Sequence, residues 1–385
     1  MNGAGMSDVA MRGPVSDDAH FDEQYPLAAL DDFLVHQTPD PIRVVASTDP
    51  RQFERYWFVI HDQVGELLLA LGGSFYPNLD LAESYAIVTH RGVQRSVRAF
   101  RPLGADRVDL RNGPLAPRIV RGLREWRLVL EPNEWGIAFD LRWLDTRRQV
   151  YHAAWAPIDR TTRARQSEVT AGFEGFGDAS GWVEVDGRRL DCPPGSLRGT
   201  RDRHWGVGRG VGGPNLQFGR KHKAGWIGGN WINFSDFAIW GNKVLYGYGD
   251  ARPGMGAVVH VERRLRFEED THIFTEGVID YLLDDDSQKR VEFRRLGNQT
   301  AYMRCGLYGG TPDKDIHQGA WTGGVMVEGD CHDLSDPAVR SRLCGLNEHH
   351  CEIRCGDEVT TGILQPLEPD AWNACARQRP GWKFL

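Results

Sequence analysis

The chain has 385 residues, 41% hydrophobic and 26% charged, with a formal net charge of −7 and a pI near 6.0. These values describe a globular protein too long for one hydrophobic core, so two domains are expected. The acidic balance argues against a nucleic-acid partner, and the apolar run at residues 67–71 is far too short for a membrane span.

Residues 1–20 are small and polar and read as a disordered leader, with Met6 or Met11 as alternative starts. They lack a basic segment followed by an apolar core, so they are no signal peptide, and a cytoplasmic protein is expected. There the seven cysteines (Cys192, Cys305, Cys331, Cys344, Cys351, Cys355 and Cys375) read as free thiols, in keeping with their odd number. Thirteen Trp suit the walls of an apolar pocket, and 45 Gly mark many tight turns.

Short helices are predicted over residues 31–36, 49–60 and 336–343, each opened by an Asp able to cap the first turn. Pro337 would occupy a first helical position, where its missing N–H is harmless. Strands dominate the rest. Trp126, Leu128 and Leu130 lead into the loop 131–134; Trp135, Ile137, Phe139, Leu141 and Trp143 then alternate with small or polar residues. Val183 and Val185 precede Asp186-Gly187, a dipeptide suited to a type I′ turn. Residues 237–248 read as strand, Gly241-Asn242 turn and strand; 259–267, 272–283 and 291–296 follow as antiparallel segments, with a polar turn at 284–289. Short strands with regular turns and little helix define an all-β class, an antiparallel sandwich or barrel. Pro193-Pro194-Gly195 is expected to break the chain, dividing it into domains 21–195 and 196–385.

The most loaded segment is Arg201-Asp202-Arg203-His204-Trp205-Gly206. At strand period Asp202 and His204 share one face, and Arg201, Arg203 and Trp205 the other. A carboxylate beside an imidazole can supply an acid or a base near neutrality. The alternative is an Asp–Arg ion-pair network that fastens the two domains together.

This run resembles the "RD-x-x-WG" signature that opens the second barrel of the hydroxyneurosporene synthase-like, AttH-like proteins, relatives of the carotenoid 1,2-hydratases and of some fungal Diels–Alder cyclases. Residues 73–78, 82–86 and 182–187 are similar in kind and order. The resemblance implies two lipocalin-like (calycin-type) antiparallel β-barrel domains and a ligand cavity holding Asp202, His204 and Trp205. The common motif places His directly after Asp, where this chain has Arg203. The stretch Asn230-Trp231-Ile232-Asn233-Phe234 lacks the Tyr/Asp pair of the hydratases, so a literal carotenoid hydratase is not expected.

Other motifs are weaker. The glycines of 206–213 follow a charged run and meet Pro214, unlike a dinucleotide loop, and read as a loop over a pocket mouth. Cys344, His349, His350, Cys351 and Cys355 lack Cys-x-x-Cys spacing, and Cys351, Ile353 and Cys355 fall on one apolar strand face. His61, His90 and His272 read as surface or satisfied core histidines. Trp226, Trp231, Phe234, Phe237 and Trp240 read as core or pocket wall. Residues 220–223 read as a solvated turn.

Two functions stand. The first is a lyase, hydratase or isomerase that protonates a small apolar unsaturated molecule, with Asp202 and His204 catalytic and no cofactor or metal called for. Trp205, Arg203, Asn230, Trp231, Asn233, Tyr76 and Tyr85 are its expected substrate-binding residues. The second is a lipocalin-style carrier of a hydrophobic ligand. Both leave room for a homodimer.

Overall fold

The computed structural model describes residues 29–32, 34–154, 169–208, 227–247, 254–271, 273–307, 316, 318–320 and 323–366. The expected leader, residues 209–213, Pro214, 220–223, Trp226, His272 and Cys375 lie outside them. Among the described residues no helix is long and apolar enough to cross a membrane, and no disulfide forms.

The first part of the chain supplies β1 (Gln52–His61), β2 (Leu67–Tyr76), β3 (Leu81–His90), β4 (Val93–Pro102), β5 (Arg118–Arg121), β6 (Glu125–Leu130) and β7 (Ile137–Asp145). β8 (Val150–Ala154), β9 (Val169–Val185) and β10 (Arg188–Val207) follow. The second part supplies β11 (Ile227–Asn233), β12 (Phe237–Trp240), β13 (Lys243–Tyr246), β14 (Met255–Phe267), β15 (Phe274–Leu283) and β16 (Gln288–Tyr302). It ends in β17 (Met326–Asp333), the helix α1 (Pro337–Leu343), β18 (Asn347–Cys355) and β19 (Glu358–Pro366).

The all-β class holds. Strands β11–β16, β18 and β19 close into an antiparallel barrel. The other eleven form one sheet in the order β17-β4-β3-β2-β1-β10-β9-β7-β6-β5, with β8 on β9. β1 and β6 stand four places apart in that order, roughly 19 Å in a flat sheet. Yet the rings of Phe58 and Trp126 lie 5.3 Å apart, so the sheet curls back over its own apolar face.

Within that curl, Tyr56, Phe58, Leu69, Leu128, Phe139 and Trp143 pack together. The barrel interior is filled by its own side chains, among them Ile232, Phe237, Ile239, Tyr281, Phe293 and Ile353; eight strands leave about that much room. A third cluster lies between the two units. Trp57, Val59, Leu68, Ala70 and Ile87 on the outer face of the sheet meet Trp231, Ala238, Tyr302 and Ile363 from the barrel. This seam positions the site.

Three local expectations are corrected. Residues 49–60 form no helix; Gln52–His61 is β1, almost wholly buried on both faces and therefore without the alternation that marks a strand. Pro193-Pro194-Gly195 does not end a strand. β10 runs through it, with a register shift on β9 between Cys192 and Leu197. Positions 195 and 196 thus lie inside β10, and β17 from the later half pairs with β4 along its whole length. The helix expected over residues 31–36 is instead a 3-10 turn at Ala29–Asp32. Other signals match: Asp186 (φ 51°) and Gly187 (φ 73°) turn β9 into β10, and the Asp336 carboxylate accepts from Ala338 N at 2.8 Å to cap α1.

Candidate active site at the seam

Strand register sets the site. β10 pairs His204 with Gly172 on β9 and Arg55 on β1, while β8 sets His152 opposite Gly172. The row continues through Ser74 to Glu83. Two residues along, Val150, Glu174, Asp202 and Trp57 form the neighbouring row. Side chains alternate across a strand, so both rows present polar groups on the outer face, toward the barrel.

There the side chains converge. His204 Nδ1 lies 3.1 Å from Asp202 Oδ2, and Arg55 Nη2 is 3.4 Å from that nitrogen and 3.7 Å from the same carboxylate oxygen. His204 Nε2 lies 3.1 Å from His152 Nε2. Both Nε2 atoms are 3.5 Å from Glu174 Oε1. Trp231 reaches in from the barrel and donates its indole N–H to Glu174 Oε2 at 3.2 Å. The His152 ring stacks on Trp240 at 4.8 Å, and Trp57 packs on Trp231 at 4.9 Å. The Glu174 and His204 side chains are only 4% exposed, whereas that of His152 is 30% exposed and forms the open edge.

Further buried acids flank this centre. Glu348 on β18 accepts from Gln365; burial, with the Asp202 charge adding to it, pushes its carboxyl up to about 8. On the other side Tyr76 donates to Glu83, which also accepts from Gly319 N at 2.9 Å. Burial raises Glu83 to about 7 against the opposing pull of those hydrogen bonds. Farther along, the His61 and His350 rings pack at 4.5 Å, tilted by 39°; burial holds His61 down at about 4 and His350 well below its ordinary value. A gap of about 10 Å³ between His61, Thr200, Trp231 and Thr361 is enough for about one water.

The expected residues divide sharply. Asp202, His204 and Trp231 meet at the seam, as does Tyr85, packed against Gly306 near the same row. Trp205 does not join them: it lies on the opposite face, 36% exposed, with Phe173 at 6.5 Å. Arg203 is also on that face, donating to Glu54 at 2.9 Å and to the Arg55 carbonyl at 3.0 Å. Asn230 points into the barrel, donating to the Tyr281 hydroxyl at 2.8 Å. Asn233 accepts from Arg147 at 2.7 Å, and Tyr76 is engaged with Glu83. Arg201 is an anchor inside the curled sheet, with a bidentate bond to Asp145 at 2.8 and 2.7 Å. His349 and Cys351 face the barrel interior, as their alternation requires.

Sequence reasoning missed His152, Glu174 and Arg55. They come from three strands with no fixed spacing, and only the β8–β9–β10–β1 register joins them.

The fold and this cluster define an antiparallel β protein with a largely buried His–Asp–Glu–His centre where a curled sheet meets a closed barrel. More specifically, the chain belongs to a family of unknown function (DUF8625), whose model matches residues 27–247 and so contains every member of that centre from Arg55 to Trp240. No curated protein matches the sequence. Among solved structures it is similar to kievitone hydratase from Nectria haematococca, at 9% identity over 84% of this chain and 91% of that one, TM-score 0.43. It is also similar to CghA with Sch210972, at 9% identity over 82% and 88%, TM-score 0.42. At that identity and those scores no residue role or substrate passes from either protein to this one.

Proposed function

We propose that the protein is an enzyme of the lyase, hydratase or isomerase type, moving a proton to or from a small apolar unsaturated molecule such as a terpenoid, steroid or aromatic catabolite. The observation that carries this reading is the 3.1 Å contact between Asp202 Oδ2 and His204 Nδ1, with the other ring nitrogen directed at His152 and Glu174. A carboxylate at Nδ1 fixes the tautomer and orientation of an imidazole and leaves Nε2 to give or take the proton. His152, at the open edge, connects that nitrogen with the outside. The indoles of Trp57, Trp231 and Trp240 offer π-faces to positive charge developing on carbon. In a hydration the proton adds to one alkene carbon, water adds to the other and returns a proton to the imidazole, leaving the alcohol; dehydration runs the same steps in reverse. The resemblance of residues 201–206 to the AttH-like signature supports the same reading.

A carrier reading is favoured by one observation: Trp231 bonds Glu174 across the seam, so the cluster also ties barrel to sheet. Native mass spectrometry of freshly purified protein would reveal a retained apolar molecule, and incubation would show its turnover. Asp202→Asn and His204→Ala are expected to cut kcat 10²-fold or more with little change in affinity. A ligand that wild-type protein binds and returns unchanged would establish the carrier instead.

A further inference from the structure

We propose that His152, Glu174 and His204 bind a divalent transition-metal ion, zinc by their geometry. The three donor atoms form a nearly equilateral triangle with edges of 3.1, 3.5 and 3.5 Å. Donors 2.0–2.1 Å from a tetrahedral zinc stand roughly 3.3–3.4 Å apart. Octahedral coordination at the same bond length would draw them in to roughly 2.9 Å. The triangle fits one face of the tetrahedron. Two imidazoles and a carboxylate are also a ligand set found around catalytic zinc, with the fourth vertex left for water.

The groups behind the ligands are those such a site requires. Metal-binding imidazoles donate their second N–H to an acceptor that fixes the ring. Asp202 Oδ2 stands 3.1 Å from His204 Nδ1, so the proton sits there and the Nε2 lone pair is offered to the ion. Trp231 occupies Glu174 Oε2 and leaves Oε1 at the triangle. Trp240 holds the His152 ring by stacking. Gly172 lets the His204 ring cross β9, because a Cβ there would stand 2.3 Å from its Cδ2.

A cation among the imidazoles would also sit beside two buried carboxylates, Glu174 and Asp202, and stabilise their charge. A second group of suitable donors, Cys305, Asp330 and His332, is less suited. The Arg98 guanidinium already bonds Asp330 at 2.6 Å, and burial pushes the Cys305 thiol up to about 12, so it stays protonated.

This inference deepens the acid–base reading and rests on the same site. In the loaded protein His204 Nε2 is a ligand, and the proton chemistry passes to water on the fourth vertex, whose pKa zinc lowers to about 7.

The test is a titration of the chelator-treated full chain with Co²⁺, read by the intense visible absorption of tetrahedral cobalt, with Zn²⁺ as competitor. One ion per chain is expected, displaced by zinc. His152→Ala should abolish the spectrum; as the most exposed of the three side chains, it is the least exposed to misfolding, which circular dichroism checks. Asp202→Asn should weaken binding 10–100-fold while keeping the spectrum, and His332→Ala should change nothing. Failure to develop a tetrahedral spectrum, or a spectrum indifferent to His152→Ala, overturns the proposal and leaves a His–His hydrogen bond in its place. The readout needs no substrate. Cobalt binding without turnover of any retained molecule would defeat only the enzyme reading, and turnover without cobalt binding only the metal.

Discussion

The imidazole of His204 lies across the backbone of Gly172: a Cβ at position 172 would stand 2.3 Å from Cδ2 of that ring and 2.4 Å from the Arg203 carbonyl oxygen. The glycine serves contact between strands. It is what allows a β10 side chain to reach over β9 and meet His152 on β8.

Gly172→Ala should therefore displace His204 while leaving the strand order intact. A lost fit of this kind costs about 1–3 kcal/mol of stability and roughly 10²-fold or more in activity, since misplacement near 1 Å is enough. Urea unfolding and turnover of the retained molecule check the two effects separately. Stable protein with normal turnover would show that the ring has another path.

Why this was not legible in the sequence is physical. Periodicity reports which residues share a face of one strand, and it placed Asp202 with His204 and opposed Trp205 to both. It cannot report which strands become neighbours or in what register. His152 and Glu174 sit 22 residues apart and meet only because Ala171 through Glu174 pair simultaneously with β8 and β10. The same limit explains β1: buried by the curled sheet on one face and by the barrel on the other, it has no polar face to alternate with, so the capping Asp before it suggested a helix. Strands with one wet side, such as Glu125–Leu130, were plain.

Glu348 makes stability fall with rising pH. Its carboxyl titrates at about 8 in the fold because burial disfavours the anion, against an ordinary value of 4.5. Between those values the folded state holds a proton that the unfolded state has released, so the contribution is complete below pH 4.5 and gone above about pH 8. The slope is up to ~1.4 kcal/mol per pH unit. Glu348→Gln keeps a neutral partner for Gln365 and should flatten that part of the profile. Equal slopes for both proteins in urea melts across this range would refute the assignment.

Arg98 holds β17 to the first sheet. Its side chain, 1% exposed, donates to Glu328 at 3.0 Å, to Asp330 at 2.6 Å and to the Cys305 carbonyl at 3.0 Å. Arg98→Met leaves two carboxylates facing each other at the seam and should cost about 3–5 kcal/mol. Adding Glu328→Gln and Asp330→Asn should recover much of that loss, because the penalty lies in the uncompensated charges. A triple variant no more stable than Arg98→Met would place the cost in packing.

Trp231 offers the sharpest separation of structure from chemistry, because one side chain does two things. Its ring packs on Trp57 at 4.9 Å, and its N–H donates to Glu174 at 3.2 Å. Trp231→Phe keeps an aromatic ring against Trp57 and deletes only the donor, leaving one oxygen of a buried carboxylate short of a bond at a cost of about 1–3 kcal/mol. Glu174 is then freer to rotate, so cobalt affinity should drop about 10–100-fold. Trp57→Phe disturbs the same aromatic pair from the sheet side and touches no donor of the cluster, so it should lower stability and spare the affinity. Equal losses of affinity in the two variants would mean that packing across the seam, rather than the indole N–H, orients the carboxylate.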